Sequence, residues 1–140
     1  MSAEGKRMSA EENKRVVQSI FEAFGRGDVP GVLQHVSEDV SWKAPGPDTV
    51  PYFGDRRTHA GAVEFFTQLG TNVDFEHFEP GVFVAEGDRV VVLGRERGRV
   101  KRTGKTFDNE WALVFQLDDG GKVTSFQCYE NTAAIAEAFS

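Results

Sequence analysis

Apolar side chains recur at Val16, Val17, Ile20, Phe21 and Phe24, the spacing of a helix with one buried face. Ser9 stands where a cap belongs, and Glu12, three residues on, completes a capping-box pattern. "GRGD" at 25–28 ends the helix. A second, short helix is predicted from Val29 to Val36, with Pro30 early and Val32, Leu33 and Val36 inward. "EDVSW" reads as a short strand ending at Trp42. The stretch 43–57, with Pro45, Pro47 and Pro51, reads as loop. A third helix is predicted from His59 to Leu69, with Ala62, Val63, Phe66 and Leu69 on one side. Beyond it the period shortens to two. "VDFEHFEPGVFVA" alternates around a bend at Pro80–Gly81. Strands over 89–102, 106–117 and 122–130 follow, separated by "TGKT" and "DDGG". "AAIAEAF" closes the chain as a helix within 131–139. Residues 1–8 are expected to fray, leaving 9–140 as a single domain.

The decisive stretch is "VVVLGRERGRV" at 90–100, where Arg95, Arg97 and Arg99 alternate with Gly94, Glu96 and Gly98. Even-length loops at 103–106 and 118–121 pair odd positions with even ones. One face of the sheet then carries Val90, Val92, Gly94, Glu96, Gly98 and Val100. It continues with Phe107, Asn109, Trp111, Leu113, Phe115 and Leu117, and then with Thr124, Phe126, Cys128 and Glu130. This set is overwhelmingly apolar, so it faces the core, and the arginines face out. Arg99 and Lys101 are expected near Glu110 and Asp108 on that outer face. Glu96 is thereby enclosed beside glycines that leave room above the sheet. An enclosed carboxyl group is costly when charged, and its pKa rises toward the range useful to a general acid or base.

Composition sharpens this. The chain has 140 residues, 12 of them Phe against 2 Tyr and 2 Trp, so its interior is rich in rings without polar handles. The net charge of -6 argues against nucleic acid and anionic membrane as partners. The lone Cys128 allows no internal disulfide, and with no apolar leader or spanning segment a cytoplasmic protein is expected. No two His or Cys stand at metal-ligand spacing, so neither metal nor cofactor is expected.

The order of elements resembles the SnoaL-like branch of the superfamily containing ketosteroid isomerase and nuclear transport factor two. The segments that carry the resemblance are "GDVPGVLQHVSEDVSW", "PYFGDRRTHAGAVEFF", "VAEGDRVVVLGRERG", "TGKTFDNEWALVFQLDDGGKVTSFQCYENT" and "AAIAEAF". It implies an α+β cone: a curved antiparallel sheet on about three helices, enclosing an apolar cavity, with a homodimer through the outer sheet. It does not carry over the isomerase machinery. Ala44 stands where that enzyme has its base, Ile20 falls near its oxyanion-hole Tyr, and no inward carboxyl lies between Trp111 and Leu113. Of the aspartates of limonene-epoxide hydrolase, Glu96 matches one and Cys128 stands near the other. SnoaL-type cyclases use an internal Asp with His and Trp, which Glu96 or Glu130 with Trp42 or His59 would imitate.

Glu96, Glu130 and His59 are therefore the candidate catalytic residues. Trp42, Tyr52, Phe66, Asn109, Trp111, Phe126 and Cys128 are the candidate ligand-binding residues. Each has a plainer reading: Glu130 as a cap for the last helix, His59 as an ordinary polar residue at a helix start, Cys128 as a small hydrophobe, the rings as core. Two functions follow. One is a cofactor-independent enzyme acting on a small apolar molecule, polyketide-, terpene- or steroid-like, by acid/base chemistry of isomerase, cyclase or hydrolase type. The alternative is a non-catalytic dimeric binding protein for such a ligand.

Overall fold

The computed structural model describes residues 8–140; the fraying expected of residues 1–8 falls, apart from Met8, outside them. The described residues form helices α1 (Ala10–Gly25), α2 (Val29–Leu33), α3 (Thr58–Asn72) and α4 (Thr132–Phe139). The strands are β1 (Val36–Ala44), β2 (Gly54–Arg57), β3 (Val73–Glu86), β4 (Arg89–Val100), β5 (Thr106–Leu117) and β6 (Val123–Tyr129). One sheet runs in the order β2-β1-β6-β5-β4-β3. It is antiparallel except where β1 runs parallel to β6. Register shifts between Phe75 and His77 and between Pro80 and Val82 break the β3–β4 ladder. Bulges of this kind bend a strand, and here they curl the sheet around the helices into an α+β cone.

α1 begins with the capping box the sequence announces: Glu12 N–H donates to Ser9 Oγ at 3.1 Å and Ser9 N–H to Glu12 Oε1 at 2.8 Å. Val17, Ile20 and Ala23 are buried, as is Asn13. Asn13 Nδ2 donates to the Gly87 carbonyl at 3.0 Å, fastening α1 to the β3–β4 turn. Asn131 caps α4, its side chain accepting from Ala134 N–H at 3.2 Å. The β4–β5 turn receives the other end of α4. Thr103 Oγ1 donates to the Ala138 carbonyl at 2.7 Å, Lys105 Nζ to the Ser140 carbonyl at 2.8 Å, and Arg102 to the Phe139 carbonyl. These donors satisfy carbonyls a helix end leaves open.

The predicted strand parity holds through the centre of the sheet. Gly94 pairs with Trp111, Glu96 with Asn109, and Leu113 with Cys128. Most of the inward set is buried, with Glu96 only 6% exposed, while Gly94 and Glu130 are half-buried. Several expectations are corrected. A register shift between Gln116 and Leu117 turns Val123 inward and leaves Thr124 half-buried, its hydroxyl donating to the Gln116 carbonyl. Val36 opens β1 rather than ending α2, because the parallel pairing with β6 starts there. The stretch 43–57 is not all loop: Gly54–Arg57 carry no apolar alternation, yet pairing with β1 makes them the strand β2. On α3 it is Phe65, not Val63, that is buried.

The outer ion pairs also differ from expectation, because β3 supplies most of the acids. Arg95 meets Glu79 at 2.8 Å, Arg97 meets both Glu76 at 2.9 Å and Asp108 at 2.8 Å, and Asp74 takes Arg99 and Lys101.

Candidate active site

The inward face of the sheet and the helices enclose a cavity of about 80 Å³. Aromatic rings make most of its wall. α1 contributes Phe21 and Phe24, α3 contributes Phe65 and Phe66, and the sheet contributes Trp42, Phe78, Trp111 and Phe126. They pack against one another rather than standing apart. Trp42 stacks on Phe126 with centroids 4.1 Å apart, and Trp111 stacks on Phe78 at 5.1 Å. The glycines of β4 make this packing possible. A Cβ on Gly94 would lie 2.4 Å from the Trp111 ring, and one on Gly98 would lie 2.5 Å from the Phe107 ring. The room above those glycines is therefore taken by rings from β5 and is not open space.

Polar groups interrupt the aromatic wall at one place. Asn109, buried on β5, donates through Nδ2 to Glu96 Oε2 at 3.2 Å and to Glu130 Oε1 at 3.1 Å. Its Oδ1 accepts from Asn131 N–H at 2.8 Å. The amide is thus fixed end to end. A backbone N–H holds its oxygen, which leaves both amide hydrogens for the two carboxyl groups. Those carboxyl oxygens lie within about 6 Å of each other, close enough for like charges to interact. Glu96 arrives from the middle of β4, and Glu130 follows the end of β6 just before α4. Both line the cavity.

Burial sets the protonation of the pair. It lifts Glu96 to about 8, with repulsion from Glu130 adding to it and the N–H groups of Asn109 and Trp111 opposing it. Burial likewise lifts Glu130 to about 7 against the Asn109 hydrogen bond. Both shifts favour the protonated forms, and the titration belongs to the two groups together. Burial, then the two carboxylates, push the Tyr52 phenol and the Cys128 thiol upward, so both stay neutral. The Trp111 N–H lies near enough to Glu96 to favour its charged form, yet outside hydrogen-bonding geometry: Trp111 Nε1 and Trp42 Nε1 are both buried without a protein partner.

The SnoaL-like domain family matches residues 17–126. The chain belongs to the SnoaL-like family. Solved structures agree with that assignment. An NTF2-like protein from Burkholderia xenovorans is 38% identical, with a TM-score of 0.84 over 95% of this chain and 99% of its own. An NTF2-like protein of unknown function from Burkholderia pseudomallei is 27% identical, with a TM-score of 0.83 over 95% and 99%. TerC, co-crystallised with polyporic acid, is 27% identical, with a TM-score of 0.78 over 91% and 97%. No curated protein matches the chain.

Within this SnoaL-like cone, nine of the ten residues that the sequence marks as candidates fall together. Glu96, Glu130, Trp42, Tyr52, Phe66, Trp111, Phe126 and Cys128 line the cavity, and Asn109 joins the two carboxyl groups from behind. His59 does not join them. Its Nε2 pairs with the Leu33 carbonyl at 3.0 Å and ties the start of α3 to the end of α2. The cap reading of Glu130 fails as well, since Asn131 performs that task. Phe21, Phe24, Phe65 and Phe78 line the cavity without being marked by the sequence as ligand-binding. Helical spacing does place Phe21 and Phe24 inward, but it cannot separate cavity wall from filled core. Among the described residues no group of three or more His, Cys, Asp or Glu is placed to hold a metal ion, and no helix is long and apolar enough to cross a membrane.

Proposed function

We propose that the protein is a cofactor-independent acid/base enzyme that moves a proton on a small, apolar, conjugated molecule, in an isomerisation or cyclisation. The observation that carries this reading is the Glu96–Asn109–Glu130 constellation on an otherwise aromatic cavity wall. Two carboxyl groups whose environments place them on either side of a proton transfer at neutral pH supply an acid and a base without a metal. Glu96, the more enclosed of the two, serves as the acid. Glu130, the less enclosed, takes the proton from carbon. Asn109 touches both and positions them. The co-crystallisation of the 27% identical TerC with polyporic acid supports an aromatic, oxygen-bearing ligand class.

Proton abstraction next to a carbonyl is read by deuterium incorporation from D2O into enolisable aryl ketones such as 2-tetralone. The protein is expected to accelerate exchange above buffer, and Glu130→Gln to lower it by roughly 100-fold or more. No exchange above buffer with any enolisable ketone that binds would reject the enzymatic reading. It would leave the binding protein for the same class of ligand.

The reading includes a homodimer through the outer sheet. Val82, Val84, Leu93 and Tyr129 are large apolar side chains, each about half exposed, on that face. Register aligns Val82, Leu93, Ala112 and Tyr129 in one row across four strands.

A further inference from the structure

Trp42 is 3% exposed and Trp111 4%, and neither indole N–H has a hydrogen-bond partner in the protein. A buried donor left unsatisfied is costly, so it calls for a partner. Two such donors bordering one cavity form a pattern, because the two carboxyl groups on the same wall are both held by Asn109. We infer that the cavity is built for a planar ligand bearing hydrogen-bond-accepting oxygen, which the indole N–H groups of Trp42 and Trp111 receive, Trp111 beside the carboxyl group of Glu96.

The chemistry is selective. Indole donates and cannot accept. A ligand amine or ammonium would leave both N–H groups unmatched, and a hydrocarbon would fill the space without satisfying them. A carbonyl, quinone or phenolate oxygen matches them. Placed at Trp111, that oxygen also meets Glu96, whose protonated form donates a second hydrogen bond to the same atom. Negative charge gathering on a carbonyl oxygen during proton abstraction would then face two donors. The rings of Phe21 and Phe78, stacked on Trp111 at 6.0 Å and 5.1 Å, hold the indole plane and leave it little freedom to turn away. Phe24, Phe66, Leu69, Phe75 and Phe78 border both this cavity and an outer hollow of about 380 Å³ between α1, α3 and β3.

This inference rests on the cavity being a ligand site, as proposed above, but not on turnover there. The test is binding of two probes of nearly equal shape, 1-indanone and indane, to the full chain labelled with 15N. The protein has two Trp, so its two indole cross-peaks are assigned by single Trp→Phe variants. Indanone is expected to bind at least tenfold more tightly than indane and to move the Trp111 indole proton downfield. Replacing Trp111 by benzothienylalanine, which keeps the ring shape and removes the N–H, should erase that preference. Equal binding of the two probes overturns the inference. So does an unmoved indole resonance, persistent occupancy of the N–H by water in the presence of indanone, or no binding at millimolar concentration. Indanone binding with the shift but without proton exchange leaves this inference standing and removes the catalytic roles of Glu96 and Glu130.

Discussion

Asn109 is the residue on which the site turns, since one amide group separates two buried carboxyl groups and is itself oriented by a backbone N–H. Replacing it with Leu keeps the bulk and removes every one of those bonds. Buried carboxyl groups without donors become costlier to ionise. Asn109→Leu is therefore expected to destabilise the fold by about 2–4 kcal/mol in urea titrations and to shift the carboxyl titration further upward. Stability should also depend on pH in an unusual direction. Glu96 and Glu130 have folded pKa values near 8 and 7, above the 4.5 of an unhindered carboxyl group. Between pH 4.5 and those values the folded state holds protons that the unfolded state has lost. The stabilisation is complete below pH 4.5 and is lost as pH rises through 7 and 8. Urea midpoints measured from pH 5 to 9 should fall across that window, and Glu96→Gln should flatten the fall. A midpoint that rises over the same range would mean that the carboxyl groups are ionised in the fold.

At the level of elements, β4 sets the shape of the cavity through what it lacks. A Cβ on Gly94 would meet the Trp111 ring at 2.4 Å and the Glu79 carbonyl at 2.6 Å, so neither side of the position can yield cheaply. Gly94→Ala should cost about 1–3 kcal/mol and alter the near-ultraviolet signal of Trp111. Gly70 in α3 has nothing within 4 Å of its Cβ position, and Gly70→Ala should instead stabilise by roughly 0.4–1 kcal/mol. Equal thermal shifts in the two variants would mean that Trp111 does not lie flat on β4. The same strand explains why much of the fold is legible in the sequence. Period-two alternation joined by even loops determines which face of β4 and β5 is enclosed, so the order of residues is enough to turn Glu96 and Asn109 inward. Alternation cannot carry the rest. The bulge that turns Val123 inward skips one residue, β2 exists only through its pairing with β1, and the amide bridge of Asn109 joins groups that only the folded sheet brings together.

For the whole molecule, the two ends of the outer sheet face demand different surroundings. Around Arg95, Arg97 and Arg99 the charges are matched in place by Glu79, Glu76, Asp108 and Asp74, so that end is self-sufficient in water. The row Val82–Leu93–Ala112–Tyr129 has no such solution, and Val84, Val91 and Val114 extend it by a second row. A contiguous apolar patch of this kind is what a self-complementary two-fold contact covers, the same surface serving both copies. Leu93 lies at the middle of the row, and its side chain points away from the core that its neighbours Val92 and Gly94 face. Leu93→Lys sets a cation from each copy into the shared patch without touching the aromatic wall. Sedimentation at micromolar concentration should show a dimer for the unaltered protein and a monomer for the variant. Because the Leu93 side chain lies on the outer face and the indoles lie on the inner one, the indole resonances should keep their positions and deuterium exchange per chain should stay within a factor of about two. If the unaltered protein sediments as a 15.5 kDa monomer at tens of micromolar, this patch is not a dimer contact. If the variant becomes monomeric and also loses the indole resonances, the outer contact holds the curvature of the sheet, and with it the approach of Glu96 to Glu130.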